Sequence, residues 1–429
     1  LQRALAASGA GLALTLTLNA AHAAAGAAAT TASPVAAATA LPVAPPPAPS
    51  VPQALPKSPN APAGSAAPAS STAPAASTAA AADWPARLVT ELARVDARFP
   101  GAIGVYVRDL DTGVEASYHA EETWYLASTV KIPIALTVLR TIERGEHTLD
   151  STLTLRATDY VDGTGETNSH PPGTKLTLRY LIEQMIVHSD NTASDMLIDM
   201  VGINEVNALV RSIIPKGFQR ITSLADVRRH AYSQIVPAAM QLSGSDFLLL
   251  KKQRTDSARL EILADLYQTP PKQFQVKTVG AAFEAYYATH LNSARLDAYG
   301  ELLAKLMAGK ILAPTSTAYL LDVMRRVQTG QQRIKAGLAP PAVFAHKTGT
   351  QRARTCDSGI ITEPTAYPGK RIVIAACTRG DLSVARSDRA LKQVGEALRT
   401  SGLLTIEGFH DPTADLIPVA VPRTGAARP

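Results

Sequence analysis

Leu126-Ala127-Ser128-Thr129-Val130-Lys131-Ile132-Pro133-Ile134-Ala135-Leu136 sets a serine and a lysine three residues apart at the head of an apolar run. If that run is helical, the amine lies one turn from the hydroxyl on the same face. A serine alcohol is a weak nucleophile until a base takes its proton. A desolvated amine is neutral part of the time and can be that base. Backbone N–H groups left free at a helix N-terminus also suit a developing oxyanion. Taken alone, Ser-x-x-Lys more often marks an N-cap serine followed by a surface lysine.

Two more short motifs follow in order. Ser189-Asp190-Asn191 lies inside His188-Ser189-Asp190-Asn191-Thr192-Ala193-Ser194-Asp195, and His346-Lys347-Thr348-Gly349-Thr350 ends a predicted strand over 343–348. Gly349 leaves room for a substrate backbone against that strand, and Lys347 with the Thr348 and Thr350 hydroxyls suits a carboxylate. Each has an ordinary structural explanation when isolated: a helix-capping Ser189, an edge-strand Lys347.

As a set, the three resemble the active-site motifs of the serine β-lactamase and penicillin-binding protein superfamily, class A β-lactamases in particular. The 61 residues from Ser128 to Ser189 fit that family, as do the flanks Asn292-Ser293-Ala294-Arg295 and Gly330-Gln331-Gln332-Arg333-Ile334-Lys335-Ala336-Gly337-Leu338. The likeness covers roughly 84–403. It implies that Ser128 is acylated, that Lys131 is its proton partner, and that Ser189 passes a proton to the leaving nitrogen. Asn191 is implied to bind the substrate's side-chain amide, Lys347 to orient Ser189 and a carboxylate, and Thr348, Gly349 and Thr350 to line the substrate site. The implied oxyanion hole is the N–H groups of Ser128 and Thr350. The implied substrate is a small β-lactam or a peptidoglycan peptide.

The chain departs from the family in two places. The family's deacylating glutamate is missing: counting its spacing from Ser189 lands on Ala225, and matching the Thr222-Ser223-Leu224 signature puts Arg228 at its place. Asp226 is the nearby carboxylate, either a substitute base or half of a loop pair with Arg228 or Arg229. His230 is a further candidate. In addition, the 158 residues from Ser189 to Lys347 exceed the family's spacing, with the surplus around 235–290. There Phe247-Leu248-Leu249-Leu250 and Ala281-Ala282-Phe283-Glu284-Ala285-Tyr286-Tyr287 predict packed helices. Arg352 or Arg354 could supply a second cation for a substrate carboxylate.

The 429 residues suffice for a large two-lobed domain. Leu88, Leu92, Val95 and Phe99 have helical spacing after an N-cap at Asp83; Ile103, Val105 and Val107 alternate as in a half-buried strand. Three strands are predicted at 343–348, 357–362 and 371–377, and a last helix at 385–400. The fold class is α+β: an antiparallel sheet, five-stranded by the resemblance, flanked by helices, with an all-helical lobe inserted at about 128–325.

Residues 1–23 have a basic start, an apolar stretch and Ala21-His22-Ala23, the pattern of an export signal. Residues 24–82 are almost entirely Ala, Pro, Ser and Thr, with too few large apolar side chains to offset ordering entropy, and are expected to be a disordered tether; 404–429 is expected to be a loose tail. Location in a periplasm or cell envelope follows. Cys356 and Cys377 lie at equal distances from a predicted turn at 364–369, so they face each other, as a disulfide in an oxidising compartment or as two buried thiols. The net charge of +6 comes from short, dispersed basic groups, such as Lys251-Lys252-Gln253-Arg254, which fit a solvated surface better than a nucleic-acid interface. The histidines are scattered, so no metal site is expected, nor a cofactor; the chain is expected to act as a monomer.

Overall fold

The computed structural model describes residues 83–364 and 369–404. The expected leader over 1–23, the tether and all of the tail beyond Leu404 lie outside the described residues.

Five strands form one antiparallel sheet: β1 (Ala102–Asp109), β2 (Glu115–Tyr118), β7 (Val343–Gln351), β8 (Arg354–Glu363) and β9 (Lys370–Arg379), in the order β2-β1-β9-β8-β7. Two small ribbons complete the β structure, β3 (Thr123–Tyr125) with β6 (Ser293–Arg295), and β4 (Thr152–Thr154) with β5 (Lys175–Thr177). The α+β assignment holds, and the late strands run longer than their apolar cores suggest, because ladder hydrogen bonds continue into polar residues at both ends.

On one face of the sheet, Leu88, Leu92 and Val95 of the helix Trp84–Asp96 meet Leu391, Val394 and Leu398 of the helix Val384–Thr400, over Val105, Val107 and Ile374. Burying each such side chain contributes about 1.5–3 kcal/mol. Asp83 begins the first helix without a side-chain cap; its carboxylate pairs with Arg87 instead. The opposite face is covered by the helical lobe, so β1 is buried on both sides and is not the half-exposed strand that its alternation predicts. Gly104 makes this possible: a Cβ there would sit 2.3 Å from the Trp124 indole.

In the lobe, the helix Lys131–Glu143 is almost wholly buried and packs against the helices Leu178–Val187 and Asn191–Val201. Asp190 caps the latter, accepting from Ala193 N at 2.9 Å, and also accepts from Thr167 N at 3.0 Å. The surplus segment forms the helices Gly244–Lys252, Asp256–Leu266 and Val279–Tyr287, buried through Phe247, Leu250, Leu263, Phe283, Tyr286 and Tyr287. Several polar ties hold it to the rest. Arg352 meets Asp256 at 2.9 Å, Arg354 meets Glu284 at 2.7 Å, Tyr287 Oη donates to Arg352 O, and Asn292 Nδ2 donates to Tyr286 Oη.

Cys356 and Cys377 are register partners on β8 and β9 and are joined as a disulfide.

Candidate active site

Ser128 lies in a 3-10 turn, Ala127–Val130, that runs directly into the helix beginning at Lys131. Ala127, just before it, has φ of 48°, and Ser189 has φ of 61°. Non-glycine residues held there cost about 1–3 kcal/mol each, and persist where the surroundings demand a particular aim of the neighbouring groups. Gly349 lets β7 close on this turn: a Cβ at that position would lie 2.5 Å from Leu126 O and 3.3 Å from Ser128 N. The Lys-Thr-Gly strand and the Ser128 amide are thereby brought into contact.

Lys131 is fully buried. Its Nζ donates to Ser189 O at 2.6 Å and to Asn191 Oδ1 at 2.7 Å, and stands 3.3 Å from Ser189 Oγ. Burial pulls its pKa down to about 7, against the opposing charges of Asp190 and Asp195. A neutral amine has two N–H bonds and one lone pair. The carbonyl and amide oxygens take the two N–H groups, which leaves the lone pair for a hydroxyl proton. Lys347 Nζ donates to Ser189 Oγ at 3.0 Å and to Thr348 O at 3.0 Å. Its pKa lies well below the usual lysine value, chiefly through burial and then through the charges of Lys131 and Arg333. The Ser189 hydroxyl therefore bridges two buried amines, an arrangement that can carry a proton.

Ser128, Ser189, Asn191, Thr348 and Thr350 line one cavity of about 310 Å³, together with Asp162, Gly163, Thr164, Arg228, Lys251 and Thr329. Behind Thr350, the buried Arg333 donates from Nη2 to Thr350 Oγ1 at 2.7 Å and from Nη1 to Gly349 O at 3.1 Å, with its Nε on Asp388. A cation thus polarises the Thr350 hydroxyl at the β7 end of the cavity.

The other end is arranged around the helix Leu224–Ser233. Ser223 caps it through Asp226 N, while the buried carboxylate of Asp195 accepts from Leu224 N at 2.7 Å and Ala225 N at 2.8 Å. Burial raises the Asp195 pKa to about 7 in spite of these bonds. The helix presents Arg228 to the cavity, where its Nε meets Asp162 Oδ1 at 2.6 Å. Asp226 is not among the cavity-lining residues; its carboxylate takes Arg229 Nη1 at 2.9 Å. His230 stacks toward Tyr286 with ring centroids 6.4 Å apart.

Residues 87–401 match the family model described as the Beta-lactamase enzyme family. The chain belongs to that family. Beta-lactamase FAR-1 of Nocardia farcinica is 27% identical over 316 residues, 72% of this chain and 80% of that protein. Beta-lactamase ROB-1 of Haemophilus influenzae is 32% identical over 123 residues, 28% of this chain, and the match spans only 39% of that relative's length. Among solved structures, PBP-A superposes with a TM-score of 0.55 at 23% identity, covering 74% of this chain and 96% of that one. A beta lactamase from Xanthomonas campestris pv. campestris gives 0.56 at 21% identity, covering 75% and 99%. A mutant of PBP-A has also been solved as an acyl-enzyme complex with penicillin G. At these identities the structures establish the β-lactamase/transpeptidase-like fold.

In this member of the beta-lactamase family, three site features escaped sequence reasoning. Arg228, which the sequence places where the missing glutamate would be or beside Asp226, pairs instead with Asp162 in the cavity, and Asp226 pairs with Arg229. Lys251 was counted as a surface charge, yet it lines the cavity and its amine donates to Gly163 O. Arg352 and Arg354 are engaged by Asp256 and Glu284 of the surplus segment, and neither is among the cavity-lining residues. Those pairs form only once the helices of the surplus segment are packed in place.

Proposed function

We propose that this protein is an exported hydrolase that opens β-lactam amides through an acyl-enzyme on Ser128. The observation that carries the proposal is the buried Lys131, pulled to about 7 and hydrogen-bonded to Ser189 and Asn191 beside the Ser128 turn.

Neutral Lys131 takes the Ser128 Oγ proton as Oγ attacks the lactam carbonyl. The Oγ–C bond forms, and the oxyanion is held by the N–H groups of Ser128 and Thr350, each such donor contributing about 3 kcal/mol to the transition state. As the C–N bond breaks, the proton passes from Lys131 through Ser189 Oγ to the leaving nitrogen. The substrate carboxylate lies against Thr348 and Thr350, with Lys347 and Arg333 behind them. Water then attacks the ester carbonyl and gives its proton to Lys131, which returns it to Ser128 Oγ as the ester C–Oγ bond breaks, releasing the acid and regenerating Ser128.

A second reading has its own observation. Among the described residues lining the cavity, Asp162 is the one carboxylate, and Arg228 holds it. A guanidinium cannot accept a proton, so release of the ester rests on Lys131 and is slow. A penicillin-binding-protein-like D-Ala-D-Ala peptidase, or a sensor that stays acylated, fits that condition. Cleavage of a chromogenic β-lactam well beyond one equivalent per chain supports hydrolysis. A burst of one equivalent that then stops contradicts it, and release of D-Ala from a wall pentapeptide favours the peptidase.

A further inference from the structure

The surplus segment contributes a residue to the cavity. Lys251, in the last turn of the helix Gly244–Lys252, reaches across to Gly163 O, and Arg228 reaches Asp162 in the same loop. Three of the cavity-lining residues are of charged type, the acid Asp162 and the bases Arg228 and Lys251, so this end has one basic side chain in excess. Asp162 engages Arg228 through Nε, and the remaining guanidinium N–H groups have no acceptor among the described residues. Asn191 joins this end to the catalytic lysine: its Oδ1 accepts from Lys131, and its Nδ2 donates to Asp162 O at 2.6 Å. Thr348 and Thr350, which suit a first carboxylate, lie at the β7 end of the same cavity.

We infer that Arg228 and Lys251 form a second anion subsite, on the Asn191 side of Ser128, which selects acyl donors bearing a carboxylate on the acyl side chain. The inference rests on the acylating reading of Ser128. It names the substrate class as dianionic: one carboxylate at Thr348 and Thr350, the other between the guanidinium and the ammonium. A planar fork with free N–H groups beside a point cation suits a carboxylate, whereas a neutral side chain gives the remaining guanidinium N–H groups no acceptor. Lys251 is exposed, so its share of the attraction weakens with salt.

The test compares benzylpenicillin with the same penicillin carrying a carboxylate on its side-chain α-carbon, as second-order rates of Ser128 acylation followed by mass spectrometry. The full chain is expected to acylate faster on the dianion by about tenfold, the factor given by one charge-assisted hydrogen bond. In Lys251→Gln the ratio of the two rates falls toward one, and in Lys251→Glu it drops below one, each variant being checked for an unchanged melting transition. A rate ratio near one in the unaltered protein, or a ratio that neither substitution moves, overturns the inference. If neither penicillin labels Ser128, the acylating reading itself fails, a result distinct from equal labelling by both.

Discussion

Lys131 makes a demanding prediction, because the role as a base proposed for it depends wholly on burial. In water a lysine at 10.5 is neutral in only about 3 molecules in 10,000 at pH 7. With its pKa pulled to about 7, about half of the chains hold a neutral amine at that pH. The gain in available base is roughly 1,600-fold, and the same shift corresponds to roughly 5 kcal/mol of cost for the charged form. Only the unprotonated amine can accept the Ser128 proton. Acylation by a chromogenic cephalosporin, followed by stopped flow from pH 5 to 10, should therefore fall with unit slope below about 7 and level off above it. Lys131→Arg, which cannot shed its proton, should abolish acylation across the range. A midpoint between 4 and 5 would point to a carboxylate base, and a rate still climbing to pH 10 to an unperturbed lysine; either refutes the reasoning. The stability consequence has a definite sign. The unfolded chain keeps this proton up to about 10.5 and the folded chain loses it near 7, so the Lys131 contribution makes stability rise with pH across that window. Lys131→Met removes that slope.

Gly349→Val places a side chain against Leu126 O and the Ser128 turn, and should cost about 1–3 kcal/mol in urea unfolding while acylation collapses. A variant with normal acylation would show that the close approach of β7 is not needed. Arg228→Met leaves Asp162 without its partner and should destabilise by about 3 kcal/mol, whereas Arg228→Met with Asp162→Asn should recover most of the loss. Equal destabilisation of the single and double variants would remove the pair from the account. Reducing the bond between Cys356 and Cys377, which closes a 21-residue separation, should cost about 3 kcal/mol, read as a lower melting temperature in dithiothreitol and absent from Cys356→Ser.

The candidate site was legible because the proposed chemistry fixes residue types at short spacings: a hydroxyl and an amine one turn apart, then a serine, an asparagine and a lysine in marked motifs. The sheet was legible from alternation and from the approach to Lys347. What the sequence hides is tertiary placement. The alternation of β1 predicts one wet face, and only the packed helical lobe dries it. Lys251 sits in a run of basic residues like any solvated group, and nothing local says that a helix some sixty residues beyond Ser189 will lay it over the Ser128 cavity. Arg352 and Arg354 follow the Lys-Thr-Gly strand closely enough to suggest a substrate contact, until Asp256 and Glu284 claim them from the surplus segment. Asp195 stood in a quoted motif without a role, since the two backbone amides it holds lie about thirty residues further on.

The central claim is that Ser128 becomes covalently acylated, and intact-mass spectrometry of the protein incubated with penicillin over time tests it most directly. One penicillin mass per chain is expected, located on the peptide containing Ser128, absent from Ser128→Ala and formed faster above pH 7 than below it. A chain that stays unmodified, or an adduct that persists in Ser128→Ala, would contradict it.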